Sequence, residues 1–261
     1  MKKIVFNLIK KMGYVVHKIN PNKPALFKDI KDKEFWNIYQ FCKPYTMTSV
    51  ERMYALYCSV NYILLNDIPG VFVECGVWRG GSAMLIAKML VNRNRLDRKI
   101  YLYDTFDGMT EPSGNDVSIN GIDAADMLKK IEHDKDDPIW CVASLKDVQK
   151  NIRLTNIPME NVVYIKGMIE NTIPAASPEE SIALLRLDTD WYESTKHELN
   201  HFFPKLVLNA VIIIDDYGHW EGCKKAVDEY FQKHHINILL NRIDYTCRVG
   251  IKSSANLPPC D

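Results

Sequence analysis

Two strongly apolar runs in the second half of the chain each end in a pair of carboxylates. These acids are Asp188 and Asp190 after Leu184–Leu187, and Asp215 and Asp216 after Ala210–Ile214. Short apolar runs without polar alternation are typical of parallel strands that are buried on both faces. Because ligands bind at the carboxyl ends of the strands in open α/β sheets, the sequence predicts that these acids meet at a ligand site.

Carboxylates that converge on one point repel each other unless a cation lies between them. A hard divalent cation with oxygen ligands suits such a set. The alternative is that one pair caps a helix or forms an ion pair with an arginine such as Arg186. Because the two pairs follow two separate strands, a metal site is the preferred interpretation.

Length and composition limit the classes of protein to consider. The 261 residues suit one large α/β domain with additions, or two small ones, and the 47% apolar content is ample for a sizeable core. The 33 basic and 33 acidic residues cancel, so there is no electrostatic case for a nucleic-acid partner. The seven cysteines include no CxxC pair, which favours a reducing cytoplasm over a disulfide framework.

Residues 1–45 are interpreted as an N-terminal extension or lid, and residues 46–261 as the main domain. The segment MKKIVFNLIKKMGYVV has apolar residues at helical spacing, which predicts an amphipathic helix that packs on its own domain or on a second subunit. Lys10 and Lys11 interrupt the apolar stretch before a signal-peptide core is complete, and no run reaches transmembrane length. A cytoplasmic protein without stable membrane insertion is expected.

A glycine-bearing turn lies between a predicted strand, Val71–Cys75, and a predicted helix, Ala83–Val91. This order is typical of the nucleotide-binding opening of doubly wound folds, where glycine lets the backbone approach a ligand. Asp104 ends the next predicted strand, where its carboxylate can accept hydrogen bonds from both hydroxyls of a ribose. An adenosine-containing cofactor fits these features. The GxxxGG spacing, with Trp78 and Arg79 inside the turn, disfavours NAD without excluding it.

Capping patterns and periodicity predict the remaining elements. These are helices at about Ser49–Asn66, Ala124–His133, Ser144–Arg153 and Cys223–His234, and a third strand at Val162–Lys166. Thr105–Pro138 is polar and rich in turns, and a connection of this length in a compact domain predicts a substrate lid. Ile236–Leu240 and Tyr245–Ile251 are predicted to complete the sheet as a hairpin. The predicted fold is therefore a doubly wound, mostly parallel α/β sheet with an antiparallel C-terminal hairpin and a helical N-terminal extension.

The segment His197–His201 matches the HExxH pattern of zinc proteases. The apolar residues of the same helix cluster on one side, which places both histidines nearly opposite the buried stripe; these residues are Leu199, Phe202, Phe203 and Leu206. A catalytic zinc also needs a third protein ligand and a walled pocket. The histidines are predicted to face solvent, and a zinc protease is disfavoured.

Five segments resemble, in order and spacing, the TylF family of macrocin-type O-methyltransferases. The segments are VECGVWRGGSA, YLYDTFDGMTEPS, VVYIKGMIENTIP, LRLDTDWYEST and VIIIDDYGHWEG. Members of this family use S-adenosylmethionine (SAM) and magnesium to methylate sugar hydroxyls on natural products. The resemblance covers about Tyr45 to Phe231. It implies that residues 46–261 form a Rossmann-like class I methyltransferase domain.

The resemblance also implies roles for single residues. It assigns SAM binding to Thr46, Met47, Glu74, Gly76, Ser82 and Asp104. It assigns Mg²⁺ binding to Asp188, Asp215 and Asp216. Asp190 is the implied general base, and His219, which closely follows the second acid pair, is the alternative base.

The lead hypothesis is therefore methyl transfer from SAM to a sugar hydroxyl of a glycosylated metabolite or polysaccharide precursor. Mg²⁺ bound to two neighbouring sugar oxygens would orient the acceptor and lower the pKa of its hydroxyl, and a nearby carboxylate could then take the proton. A catechol-type acceptor is a close variant, because any vicinal diol can chelate the metal. The rival hypotheses are an NAD-linked sugar oxidoreductase or epimerase and a non-catalytic scaffold. By analogy with the family, a homo-oligomer is expected.

Overall fold

The computed structural model describes residues 27–130 and 140–253. Contacts within the chain divide it into two units, Met1–Glu34 and Phe35–Asp261. The predicted N-terminal amphipathic helix lies outside the described residues, and the role of residues 1–45 as an extension or lid stays a prediction. Within the described ranges, no helix is both long and apolar enough to cross a membrane.

The described residues form a seven-stranded sheet with the strand order β3-β2-β1-β4-β5-β7-β6. The strands are β1 (Val71–Cys75), β2 (Ile100–Asp104), β3 (Val162–Lys166), β4 (Ile182–Leu187), β5 (Leu206–Ile214), β6 (Asn241–Arg242) and β7 (Arg248–Ile251). Strands β1 to β5 are parallel, and β7 runs antiparallel to both β5 and β6. The predicted doubly wound, mostly parallel sheet with a C-terminal hairpin is confirmed.

The C-terminal hairpin is shorter than predicted. Residues 236–240 belong to no strand, and pairing begins only at Asn241. The apolar residues of this segment pack against the core without joining the hydrogen-bonded ladder; they are Ile236, Ile238 and Leu240. Their alternation therefore reflects burial of one face of an extended segment, and the prediction of a strand at Ile236–Leu240 was wrong.

The helices are α1 (Lys33–Cys42), α2 (Val50–Leu65), α3 (Gly81–Asn92), α4 (Ala124–Lys130), α5 (Leu145–Arg153), α6 (Ile169–Thr172), α7 (Tyr192–Phe202) and α8 (Glu221–Lys233). Two of the predicted helix starts are confirmed by their caps. Ser49 accepts a hydrogen bond from the backbone N–H of Arg52, and Ser144 accepts one from Asp147. A serine at the N-cap satisfies a backbone donor that the helix itself leaves free.

Alternation along β1 directs its side chains to the two faces of the sheet. Val71, Val73 and Cys75 join a buried cluster that contains Leu199 of α7 and Val227 of α8. The intervening residues, Phe72 and Glu74, are also buried and point to the opposite face, which α2 and α3 cover. A charged side chain in the middle of the sheet therefore lies beneath α2.

The strand register aligns the carboxyl ends of the three central strands. Cys75 pairs with Leu187, and Leu187 pairs with Ile214. The ladder continues by one residue on each side, because the N–H of Asp188 donates to Cys75 O at 2.9 Å and that of Asp215 to Leu187 O at 2.9 Å. Asp188 and Asp215, the first acids of the two pairs, therefore lie side by side, as predicted from the sequence.

Candidate active site

A cavity of about 250 Å³ lies at the carboxyl edge of the sheet. Most of the predicted site residues line it: Thr46, Met47, Gly76, Ser82, Asp104, Asp188, Asp190, Asp215 and Asp216. Two predicted site residues, Glu74 and His219, are not part of its wall. The fold therefore brings the candidate cofactor residues and the candidate metal ligands to one cavity.

Asp188, Asp215 and Asp216 form an acid cluster on this wall. Each offers an oxygen atom, and these three atoms lie within 4.8 Å of one another. The Oδ2 atom of Asp216 is buried without a hydrogen-bond partner among the described residues. Burial and the neighbouring Asp190 and Asp188 carboxylates raise the pKa of Asp216 well above its usual value. An all-oxygen set with an unsatisfied buried acceptor fits a hard divalent cation such as Mg²⁺.

Arg186 connects this cluster to the middle of the sheet. Its Nη1 lies 2.7 Å from Glu74 Oε1 and 2.7 Å from Asp188 Oδ2, and its Nη2 donates to Asp215 Oδ1 at 2.9 Å. Its side chain is only 3% exposed. The ion pair with Arg186, which the sequence left open as the alternative to a metal site, is therefore present. It occurs together with the acid cluster and does not replace it.

Glu74 lies under the cluster in β1, where it is the register partner of Arg186. It is 1% exposed, and its Oε2 atom has no hydrogen-bond partner among the described residues. Burial raises the pKa of Glu74 to about 7, and the Arg186 guanidinium opposes that rise. Its observed contact is with Arg186, so a direct role in cofactor binding stays a prediction.

A second arginine, Arg52, reaches the cluster from the first turn of α2. Its Nη1 forms an ion pair with Asp215 Oδ2, and its Nε lies 3.1 Å from Asp244 Oδ2. Neither Arg52 nor Asp244 is among the site residues predicted from the sequence. Arg52 closely follows Thr46–Thr48, the candidate cofactor segment, in the sequence. This proximity is the one local signal that Arg52 lies near the site.

Asp190, the candidate base, lies on the cavity wall two residues beyond Asp188. Its backbone adopts a left-handed conformation, with φ of 65°. The indole Nε1 of Trp220 donates a hydrogen bond to its Oδ1 atom at 2.9 Å. Burial and the nearby Asp188 carboxylate raise the pKa of Asp190 to about 8, and the Trp220 hydrogen bond opposes the rise. The carboxylate is thus held in one orientation with increased proton affinity.

His219, the alternative base, packs away from the cavity wall. Its ring lies 4.8 Å from the ring of Trp220, and its Nδ1 atom is 3.3 Å from the hydroxyl of Tyr245. Burial lowers the pKa of His219. Asp190 therefore lines the cavity together with the acid cluster, and His219 does not line it.

The candidate cofactor end of the cavity is organised by Asp104. Its Oδ2 atom accepts hydrogen bonds from the backbone N–H groups of Val77 at 2.6 Å and Trp78 at 3.1 Å, and its Oδ1 atom accepts one from Phe106 at 2.6 Å. Burial raises the pKa of Asp104, while these N–H groups lower it. The carboxylate thus holds the glycine turn against the end of β2. Ribose binding by Asp104 stays a prediction.

Two glycines allow backbone segments to meet at this end. Gly76 has φ of 82°, and a Cβ atom there would collide with the backbone of Asp188. Gly81 lies against the candidate cofactor segment, where a Cβ atom would be 2.6 Å from the carbonyl oxygen of Tyr45 and 2.5 Å from Cβ of Thr46. Only glycine permits this close packing of the segment on the start of α3.

The predicted lid, Thr105–Pro138, is described as far as Lys130. Its anchors are specific: Trp191 Nε1 donates to Thr110 O at 3.0 Å, and the N–H of Tyr192 donates to Asp116 Oδ1 at 2.7 Å. A backbone bridge also joins its residue Ser118 to Trp220. The described part of this loop is therefore fixed to the same segments that carry the acids, and its function as a lid stays a prediction.

The HExxH segment falls on α7. His197 and His201 are each partly exposed, with ring centroids 4.5 Å apart, and His197 Nε2 lies 3.1 Å from the carbonyl oxygen of Ile173. Glu198 is fully buried and accepts a hydrogen bond from Thr189 Oγ1 at 3.0 Å. Among the described residues, the acid cluster is the one group of three or more side chains that could hold a metal ion. The glutamate of this pattern is therefore a core residue below the acid cluster.

Comparison with known proteins identifies similar enzymes. The family model for macrocin O-methyltransferase (TylF) matches residues 15–250. Demethyldecarbamoylnovobiocin O-methyltransferase of Streptomyces niveus is 34% identical over 200 residues, which cover 77% of this chain and 72% of that enzyme. The 8-demethyl-8-(2,3-dimethoxy-alpha-L-rhamnosyl)-tetracenomycin-C 4'-O-methyltransferase of Streptomyces olivaceus is 28% identical over 246 residues, which cover 94% of this chain and 88% of the enzyme.

A similar fold occurs in the O-methyltransferase NovP. The two structures superpose with a TM-score of 0.70 at 30% sequence identity, and the match covers 80% of this chain and 83% of NovP. The similarity therefore extends over most of both chains.

Proposed function

The chain belongs to the macrocin O-methyltransferase (TylF) family, and on that premise we propose that it transfers a methyl group from SAM to a sugar hydroxyl. The acceptor is a glycosylated natural product or a polysaccharide precursor. One observation carries the proposal: the acid cluster and Asp190 line the same cavity as the glycine turn and Asp104. The name of the relative that methylates a rhamnosyl tetracenomycin supports a sugar as the acceptor class.

We assign the SAM end of the cavity to the residues around the glycine turn. These are Thr46, Met47, Gly76, Ser82 and Asp104. Gly76 lets the end of β1 pack on the backbone of Asp188, and Asp104 is assigned to the ribose hydroxyls in the orientation that the N–H groups of Val77 and Phe106 give it. Glu74 supports this end indirectly, since its observed partner is Arg186.

Asp188, Asp215 and Asp216 would hold the divalent cation. The chemistry that Mg²⁺ supplies when bound at such a site is Lewis-acid polarisation and orientation of neighbouring oxygens. Arg186 pairs with Asp188 and Asp215 and fixes their orientation. Its three ion pairs mean that these ligands are positioned before any acceptor binds.

Asp190 is the proposed general base. Trp220 donates to its Oδ1 atom, so Oδ2 is the oxygen assigned to take the hydroxyl proton. The raised pKa of Asp190 increases its affinity for that proton. Methyl transfer also requires the acceptor oxygen in line with the S–CH₃ bond, so most of the catalysis by this site is positioning.

The family match favours methyl transfer over the NAD-linked sugar oxidoreductase or epimerase. The acid cluster also disfavours a non-catalytic scaffold, because unsatisfied buried carboxylates are costly to keep without a ligand. A catechol-type acceptor would use the same cluster, since its two oxygens are also vicinal. An acceptor screen separates these two acceptor classes.

The deciding experiment is a calorimetric titration of the purified protein with SAM, with NAD as the comparison ligand. We expect SAM to bind and NAD to give no heat above dilution. An acceptor screen with Mg²⁺ would then compare glycosylated natural products with catechols. NAD binding in the absence of SAM binding would contradict the proposed function.

A further inference from the structure

Both carboxylate oxygens of Asp215 already face a guanidinium group. Arg186 donates to Oδ1 at 2.9 Å, and Arg52 forms an ion pair with Oδ2. Asp215 is also one of the three residues of the acid cluster. A cation that binds the cluster must therefore share this carboxylate with an arginine or displace one from it.

The two arginines differ in their freedom to move. The Arg186 side chain is 3% exposed and contacts three carboxylates within the sheet. The Arg52 side chain is 19% exposed and projects from a helix rather than from a strand. Releasing Arg186 from Asp215 would leave a buried charge partly unpaired, which is expensive. Releasing Arg52 would cost less, because its side chain is partly exposed to solvent and keeps Asp244 as a partner.

That second partner is Asp244, and it is held rigidly. Its Oδ1 atom accepts hydrogen bonds from the N–H groups of Thr246 and Cys247, each at 2.9 Å. Its Oδ2 atom accepts one from Ser49 Oγ at 3.0 Å and lies 3.1 Å from Arg52 Nε. The acid is therefore positioned to retain Arg52 if the pairing with Asp215 breaks.

We propose that Arg52 is an exchangeable counter-ion of the metal site. It neutralises Asp215 when no divalent cation is bound, and it pairs with Asp244 alone when a cation occupies the acid cluster. The inference rests on the proposed metal site. Its physical basis is that a guanidinium and a divalent cation compete for one carboxylate and repel each other at short range.

A competing arginine and a purely orienting arginine have opposite effects on cation affinity. If Arg52 competes with the cation, its removal tightens cation binding. If Arg52 merely orients Asp215, its removal weakens cation binding. Asp244 has the opposite influence, because without it Arg52 has only Asp215 as a carboxylate partner.

The test is Mn²⁺ binding in the absence of SAM and acceptor. The electron paramagnetic resonance signal of free Mn²⁺ measures how much of the ion is unbound. Arg52→Ala is expected to bind Mn²⁺ at least about tenfold more tightly than wild type, and Arg52→Lys to stay near wild type because the charge is kept. Asp244→Asn is expected to bind several-fold more weakly. In the Arg52→Ala background, the same Asp244→Asn change should have little effect.

Arg95→Ala is the matched control. Arg95 lies beyond the end of α3, is 24% exposed and pairs with two aspartates outside the acid cluster, Asp67 and Asp97. Its removal should leave Mn²⁺ affinity unchanged. Arg52→Gln, which retains most of the side-chain length, replaces Arg52→Ala if circular dichroism shows that the alanine variant is unfolded.

Two further results distinguish failure of this inference from failure of the metal site. Weaker or unchanged binding by Arg52→Ala, when wild type binds and Asp216→Asn does not, overturns the counter-ion role and leaves the metal site intact. Equal, measurable affinities for wild type and Asp216→Asn contradict the metal site itself, and the role of Arg52 fails with it. Binding that appears only in Arg52→Ala supports the competition.

Discussion

At the scale of single residues, the site depends on carboxylates whose surroundings differ. Asp190 has one oxygen held by Trp220 and lies on the cavity wall. Glu198 lies in the core, fully buried, with Thr189 as the donor to one oxygen and no hydrogen-bond partner for the other among the described residues. Burial is the largest cause of the raised pKa of both acids, but of the two only Asp190 lines the cavity.

Asp190→Asn tests the base. The amide cannot accept the hydroxyl proton, so kcat should fall by about 10²- to 10⁴-fold while SAM affinity holds. Steady-state kinetics and calorimetry measure the two effects. Trp220→Phe, which removes only the hydrogen bond to Asp190, should give a smaller loss of kcat. A loss of cation affinity in Asp190→Asn would instead make Asp190 a ligand.

Glu198→Gln tests the buried core acid through stability. Burial raises the pKa of Glu198 well above its usual value, so the folded protein keeps a proton that the unfolded chain loses above about pH 4.3. Wild-type stability should therefore fall, by up to about 1.4 kcal/mol per pH unit for this group, as pH rises above that value. Glutamine does not titrate, so this contribution is removed.

The measurement is urea unfolding of both proteins at pH 5 and pH 8. The free energy of unfolding of Glu198→Gln minus that of wild type should increase with pH. A constant offset introduced by the amide does not change this trend. Other buried acids, such as Glu74 and Asp216, contribute equally to both proteins and cancel. A difference independent of pH would show that Glu198 is ionised in the folded state.

At the scale of elements, the start of α3 and the segment before α2 form one unit. Gly81 lets Tyr45 and Thr46 pack directly on the first turn of α3. The N–H of Thr48 donates to Thr46 Oγ1 at 3.0 Å, which closes the segment on itself. The position of the candidate cofactor segment is thus set by backbone packing.

Gly81→Ala tests this arrangement. The added methyl group would lie 2.6 Å from the Tyr45 carbonyl oxygen, so the segment must move. We expect SAM affinity to fall and the free energy of unfolding to drop by about 1 to 3 kcal/mol. Calorimetry and urea unfolding measure these effects. Gly114→Ala, where a Cβ atom meets nothing within 4 Å, is the control and should change neither quantity.

At the scale of the whole molecule, parallel strands deliver acids from distant parts of the chain to one edge. Asp104 is the last residue of β2, Asp188 follows β4 and Asp215 follows β5. Repulsion among such acids opposes folding, and a bound cation that relieves it stabilises the folded state by mass action. The metal site should therefore be visible in the unfolding temperature.

Adding Mg²⁺ should raise the Tm of wild type in proportion to the logarithm of its concentration once binding is saturated, and a chelator should reverse the effect. Asp216→Asn should not respond, because it loses one of the three candidate ligands. Thermal unfolding monitored by circular dichroism measures the shift. Asp126→Asn, a change at an exposed acid of α4, should respond like wild type. An equal response in Asp216→Asn would place the bound ion elsewhere.

The sequence by itself determined the strands β1 to β5, the starts of α2 and α5 and the positions of the acids, because these depend on local signals. Apolar runs mark β4 and β5, and Ser49 and Ser144 lie within a few residues of the donors they cap. The placement of Asp188 and Asp215 at strand ends then follows from parallel topology. Among the described residues, the strand prediction failed at residues 236–240, whose apolar side chains pack against the core without strand pairing.

Only the tertiary structure decided how the acids are neutralised. Arg186 meets Glu74 across 112 positions of sequence, and Arg52 meets Asp215 across 163. These pairings depend on the register between β1 and β4 and on the packing of α2 against the sheet. Neither ion pair can be read from the sequence, because an arginine in a strand or a helix gives the same local sequence pattern with or without a distant partner. The charge balance at the site is therefore a property of the folded chain.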